Sequence, residues 1–401
     1  MQISSTLYIL FISVINLVFI SSGCAQASEE INGDTLMSAQ QESLVLRKTE
    51  FTLNDFLNQD DDLDFWTDEI IKNLSLEEKI AQLIMPAMGK HGQAKEEIDA
   101  LVNDGLIGGI LMLNGSKEEF RNWVNEYNIL NSKLGKLGFL YSADAEPSLI
   151  NRKITNTKTV AKANTLKTPE EVKQVANTIS EELNEIGINY NFAPVVDMSP
   201  NKTVGWRSFG HVPDSVIPWS NQFIKTTQER NIIATAKHFP GHGYVVGDTH
   251  EKLVFIDGEM KEVKNYPPLI ENGVLSIMIA HIAVNNNEKY NTKTFPSTTS
   301  RAIVTELLRD SLKFEGLIVT DALNMGGVRN VENANLLAVN AGCDILLMPL
   351  NAREAHTQLL NAYQQNELTK NEIEASARRI IRMKICLGLI PLSDAENLKT
   401  K

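Results

Sequence analysis

Short apolar runs recur along the chain, separated by segments whose apolar residues return every three or four positions. The runs fall near Leu83 and at 108–113, 138–144, 189–197, 232–239, 276–284, 317–321 and 344–348. Each has the length and branched-residue content of a buried strand. The segments 169–186, 215–230 and 301–312 carry the helical period. Strand and helix in alternation predict a parallel sheet. Eight such units over about 300 residues predict an α/β fold closed into a (β/α)8 TIM barrel. An open doubly wound sheet is the alternative, but no G-x-G-x-x-G follows the first run, which counts against its dinucleotide-binding version. Local signals agree with the pattern. Ser75-Leu76-Glu77-Glu78 has the form of a capping box before a short helix, and Thr369-Lys370-Asn371-Glu372 opens a final helix reaching residue 387. Ile373, Ala377, Ile380 and Ile381 form that helix's apolar stripe, and Arg378, Arg379, Arg382 and Lys384 read as its solvated face.

The ends of the chain break this pattern. The first 23 residues carry no charge, and residues 7–20 are mostly apolar, the length of an export signal's core. Ser22-Gly23-Cys24 offers a lipoprotein processing site with a lipid anchor at Cys24, Ala25-Gln26-Ala27 an ordinary cleavage, and an uncleaved anchor is the third option. The expectation is an exported protein of a bacterial cell envelope. Residues 24–62 are polar and end in Asp60-Asp61-Asp62, which reads as a solvated tether. The single barrel domain is expected over 63–390, with a frayed tail over 391–401. Net charge is −12 with no basic run, which argues against nucleic-acid binding. Besides Cys24 only Cys343 and Cys386 occur, and they suggest neither a disulfide framework nor a metal knuckle.

Polar residues gather where the runs stop. Asp144 ends the third, Lys237 and His238 the fifth, and Asp321 the seventh, while His281 stands near the end of the sixth. Barrel enzymes build their sites on this carboxyl-terminal rim. The fifth run opens into Lys237-His238-Phe239-Pro240-Gly241-His242-Gly243, and Asp248-Thr249-His250 follows after four residues. Pro240, Gly241 and Gly243 force a loop, so several imidazoles and a carboxylate share one mobile segment. Lone histidines such as His211 and His356 read equally well as satisfied polar groups, whereas clustered titratable groups mark a site. By position alone Asp321 is either an ion-pair partner or a working carboxylate.

The segment 237–250 resembles the signature of bacterial β-N-acetylhexosaminidases (β-N-acetylglucosaminidases) in glycoside hydrolase family 3, with every fixed position met. The resemblance extends from about residue 74 to 389. It includes Asn191-Phe192-Ala193-Pro194-Val195-Val196-Asp197, Arg207-Ser208-Phe209-Gly210, Ile279-Ala280-His281 and Thr320-Asp321-Ala322-Leu323-Asn324-Met325. It implies a retaining exo-glycosidase without metal or organic cofactor. The substrate implied is an oligosaccharide ending in β-linked N-acetylglucosamine, from peptidoglycan, chitin or host glycans. Asp321 matches the nucleophile, His250 the general acid/base and Asp248 its partner. Arg207, Lys237 and His238 match residues that hold sugar hydroxyls, Asp144 grips the far edge of the ring, and Arg152 keeps the family's spacing to Asp144.

The chemistry fits these residue types. Retention needs one group that stays ionised and attacks the anomeric carbon, and one that gives and then takes a proton. A histidine starts near pH 6.5, and a neighbouring carboxylate can orient it and stabilise its cation. The glycines of 241–247 would let the acid close over substrate. One stretch departs from the family. Asp144-Ala145-Glu146-Pro147-Ser148 stands where Glu-Gly-Gly commonly follows the aspartate and one residue. Proline fixes φ where glycine is permissive, which leaves open the loop's path and the place of Arg152. Residues 151–162 are polar where relatives are apolar, and Thr249 replaces Ser. Three rivals remain. A metal hydrolase could use His238, His242, Asp248, His250 and Asp321, but His238 and His242 are separated by Pro and Gly rather than by a helical turn. A non-catalytic glycan binder is the second, and a phosphorolytic enzyme the third.

Overall fold

The structure is a computed structural model that describes residues 47–198 and 204–392. The proposed export signal, Cys24 and most of the 391–401 tail lie outside the described residues. Among the described residues no helix is long and apolar enough to cross a membrane.

Eight parallel strands form the centre, labelled here β1 to β8. β1 is Ile84–Met85, continued after Pro86 by Ala87–Met88. β2 is Gly109–Met112, β3 Leu140–Ala143, β4 Tyr190–Asn191, β5 Ile233–Phe239, β6 Ser276–Ile279, β7 Leu317–Thr320 and β8 Leu346–Leu347. Ala87–Met88 pairs with β2, and pairing then runs in chain order from β2 to β7. A bridge from Val319 to Ile345 leads on to β8, which pairs with Ile84–Met85. The two halves of β1 thus serve the first and last neighbours, and the parallel sheet curls into an α/β barrel. All seven residues of β5 are buried, as a strand covered on both faces requires.

The outer helices follow from their sequences. Pro169–Ile186 starts at Thr168, whose side chain caps Glu171 N, with Pro169 at the first helical position. It stops at Gly187, held at φ +92°, a conformation that favours glycine. Val172, Ala176, Ile179, Leu183 and Ile186 make its buried face. Each large apolar side chain there stabilises the fold by about 1.5–3 kcal/mol. The capping boxes at Ser75 and Thr369 form as expected.

Two expectations are corrected at the base of the barrel. The tether does not run to residue 62. Asp60 caps the helix Asp61–Asn73 by accepting from Asp62 N and Leu63 N. The acidic run therefore supplies the cap and the negative first turn that a helix dipole favours. Phe51, Leu53 and Phe56 are buried ahead of it. The basic residues of Lys370–Cys386 are not a solvated face either. Arg382 donates to Phe56 O and to Asp64 Oδ1, at 2.8 and 2.7 Å. Arg379 reaches the buried Asp344, and Lys384 is fully buried against Gln82 Oε1 and Gly108 O.

Candidate active site

The eight residues to which the resemblance gives catalytic or sugar-binding roles all line one cavity of about 540 Å³ at the carboxyl-terminal end of the strands. They divide into two groups with separate electrostatic partners.

The first group grows from the end of β3. Asp144 accepts from Lys237 Nζ at 2.9 Å. Two residues on, Glu146 is completely buried and takes a fork from Arg207, Nε to Oε2 at 2.9 Å and Nη2 to Oε1 at 2.7 Å. Lys237 Nζ also meets Glu146 Oε1 at 2.6 Å. Burial by itself would raise both carboxyl pKa values. The Lys237 and Arg207 charges outweigh it and hold Asp144 and Glu146 below their ordinary range. All four groups are therefore ionised, and Asp144, Arg207 and Lys237 present fixed donors and acceptors to the cavity, with Glu146 buried outside its lining.

Glu146 carries more of this group than sequence reading assigned it, although it occupies the family's glutamate position. The proline beside it costs the loop little. Leu149 N donates to Glu146 O at 2.9 Å, which makes Pro147 the second residue of a β-turn, the position where a fixed φ near −65° fits. The chain then makes the helical turn Ile150–Lys153. Arg152 reaches the cavity mouth but is exposed, and Lys153 is the cation near Asp144, at 3.7 Å.

The second group surrounds Asp321. Asp321 directly follows β7, its N–H donates to Ile279 O, and Ala322 N donates to its Oδ1 at 2.8 Å. Burial pushes its pKa up, but the imidazoles of His238 and His281 and the Ala322 N–H pull it below the usual carboxylate value. His238 comes from a bulge in β5. Ile277 and Ile279 of β6 face Ala236 and Phe239, so β5 has one extra residue at Lys237-His238. A bulge re-aims side chains that would otherwise alternate, and both Lys237 and His238 line the cavity. Their peptide bond is cis. His238 Nδ1 lies 2.7 Å from Asp197 Oδ2. The other Asp197 oxygen accepts from His238 N at 3.2 Å and His242 N at 2.8 Å.

The loop after β5 then turns back across the mouth. Buried Glu262 accepts from Gly243 N at 2.8 Å and from Met198 N. A Cβ at Gly243 would stand 1.5 Å from Met198 O, so only glycine lets the loop pass. Asp248 Oδ1 accepts from His250 N at 2.9 Å and meets His250 Nδ1 at 2.6 Å. This leaves Nε2 as the nitrogen available to a substrate. Gly326 N and Gly327 N, just past Asp321, donate to His250 O and Thr249 O at 3.0 and 2.9 Å. The expected closing loop is already docked.

His281 is placed differently from the expectation. It is fully buried outside the cavity lining, with Nδ1 2.6 Å from Thr298 Oγ1 and Nε2 2.9 Å from Ala322 O. It braces the turn beyond Asp321. Asp197 and Glu262 were in no predicted set, and His242 entered only as a candidate ligand of the rival metal reading. Asp197 and Glu262 are single acids in ordinary surroundings, and only the fold brings them under the loop. The histidines each spend a ring nitrogen on the protein: His238 on Asp197, His242 on Thr249 and His250 on Asp248. Among the described residues no three metal-ligating side chains converge.

Comparison with known proteins supplies the family. Residues 75–383 match the glycosyl hydrolase family 3 N-terminal domain. Beta-hexosaminidase A of Pseudoalteromonas piscicida is 33% identical over 239 residues, which span 53% of this chain and 40% of that protein. A beta-hexosaminidase of Haemophilus influenzae is 28% identical over 317 residues, covering 75% of this chain and 87% of that one. A solved family 3 β-N-acetylglucosaminidase from a Paenibacillus species superposes with a TM-score of 0.73 at 25% identity, covering 79% of this chain and 63% of that one. The barrel, the rim of ionised groups and a family match over most of the described chain agree, and the chain belongs to glycosyl hydrolase family 3.

Proposed function

We propose that this protein is a retaining exo-β-N-acetylglucosaminidase that removes terminal N-acetylglucosamine from peptidoglycan-type oligosaccharides. The observation that carries this reading is the shared cavity. A carboxylate held ionised, Asp321, and an Asp–His pair with a free Nε2 face one space large enough for a pyranose. Asp144, Arg207 and Lys237 supply the hydroxyl contacts, with Arg207 and Lys237 held by the buried Glu146.

In the first step the Asp321 carboxylate attacks the anomeric carbon while the bond to the leaving oxygen breaks. His250 Nε2 gives its proton to that oxygen, and Asp248 stabilises the imidazolium and fixes its orientation. In the second step His250 takes a proton from water, whose oxygen displaces Asp321 from the sugar and restores both groups. Relatives named beta-hexosaminidase and β-N-acetylglucosaminidase support the choice of sugar.

The test is turnover of an aryl N-acetyl-β-glucosaminide beside the matching glucoside, followed by a peptidoglycan disaccharide and chitobiose. Asp321→Asn is expected to lower kcat by about 10⁴ or more, because it removes the attacking group. A 2-fluoro sugar is expected to label Asp321. Labelling at another residue, or inversion at the anomeric carbon, defeats the mechanism.

A further inference from the structure

His242 has no role in the steps above, yet it lines the cavity and is 2% exposed. Its place is set at two points. Its backbone N–H donates to Asp197 Oδ1 at 2.8 Å, and its Nε2 lies 3.1 Å from Thr249 Oγ1. Thr249 is itself buried, between the two members of the Asp248–His250 pair. The other ring nitrogen, Nδ1, is buried and has no hydrogen-bond partner among the described residues. Leaving such a nitrogen unpaired costs about 1–3 kcal/mol. Buried polar groups of this kind are normally satisfied, and the ring borders the cavity.

Position narrows the substrate atom. His242 lines the same cavity as Asp321 and Asp248 and is within electrostatic reach of both. Asp321 must lie beneath C1, and His250 must reach the leaving oxygen. The ring positions next to C1 are the endocyclic oxygen and C2, and of these C2 bears the larger hydrogen-bonding substituent. Burial first, and the nearby His238 second, lower the His242 pKa and keep the ring neutral. A neutral imidazole can meet either end of an amide, as donor or as acceptor depending on tautomer.

We propose that His242 is a specificity-determining residue whose Nδ1 hydrogen-bonds the C2 substituent of the bound sugar and so favours acetamido over hydroxyl. The proposal rests on the glycosidase reading for its substrate class. The contact also reaches catalysis, because Thr249 links the same ring to the turn that carries His250.

The experiment compares wild type, His242→Ala and His242→Asn, the last placing an amide near the Nδ1 position. Folding is checked by thermal melting. Two measurements are made: kcat/KM for the 4-nitrophenyl N-acetyl-β-glucosaminide and β-glucoside, and calorimetric Kd for free N-acetylglucosamine and glucose. The expected result is that the preference for the acetamido sugar, as a ratio, falls about tenfold in His242→Ala, the worth of one hydrogen bond. His242→Asn is expected to recover most of it. An acetamido preference that persists undiminished in His242→Ala overturns the proposal, as does a wild type that binds both sugars alike. Binding preference lost in His242→Ala, in a wild type that turns over neither glycoside, would sustain this contact while sinking the glycosidase reading.

Discussion

His238 and His250 each hold an aspartate through Nδ1, at 2.7 and 2.6 Å. Their surroundings differ. The His238 and Asp197 side chains are 7% and 0% exposed, whereas those of His250 and Asp248 are 62% and 35% exposed. The first pair is built into the floor, and its aspartate also accepts from the backbone N–H groups of His238 and His242. The second pair rides on a turn at the mouth. An Asp–His bond therefore says little about role until its exposure is known. A buried pair fixes a ring as a donor for substrate. An exposed pair can exchange its proton with a leaving group and then with water.

The sharpest way to break this contrast is to remove each imidazole in turn. His250→Ala is expected to slow cleavage of a disaccharide about 10³-fold and of an activated aryl glycoside only about tenfold, since a good leaving group needs no proton. His238→Ala is expected to slow both substrates to a similar degree. A dependence on leaving group in His238→Ala would exchange the roles assigned here.

Next in size is stability. Asp197→Ala removes an acceptor used by two backbone N–H groups and one imidazole, all buried, and is expected to cost about 3 kcal/mol by urea unfolding. Asp248→Ala at the partly exposed turn is expected to cost less than about 1 kcal/mol. Equal losses would mean that the mouth pair is as structural as the floor pair.

The smallest effect concerns Glu262 under the same loop. Burial, and then the charge of Asp197, raise its carboxyl to about 8. A raised folded-state pKa stabilises fully below the ordinary glutamate value and loses that contribution as pH rises through about 8. The wild type is therefore expected to lose about 2 kcal/mol between pH 6.5 and pH 8.5 relative to Glu262→Gln. Parallel pH profiles of the two proteins would place the Glu262 pKa near its ordinary value.

Much of this arrangement was legible because local rules agreed. Asp144, Lys237, His238 and Asp321 were placed on the rim because each ends an apolar run, and the helix Pro169–Ile186 was found from its helical period. What escaped depended on distant partners. Arg382 read as solvated because Asp64 and Phe56 lie more than 300 residues away. Phe51, Leu53 and Phe56 sit in a short irregular stretch with no period to reveal them. Glu146 and Asp197 matched family stretches, but their weight as buried charges is visible only with their partners beside them. His281 followed the strand-end rule and still lies outside the cavity lining, because the rule does not say which way a side chain turns.

The two main-chain bonds from Gly326 and Gly327 to the His250 turn have a mechanical corollary. His250 and Asp321, donor and nucleophile in the proposed mechanism, belong to a single jaw, so a swing of one drags the other unless both bonds break. A Cβ at Gly326 would stand 2.1 Å from Glu251 O, and Gly326→Ala should wedge that jaw apart with every reacting side chain still in place. The separation of His250 from Asp321 in this family member is thus set by backbone spacing.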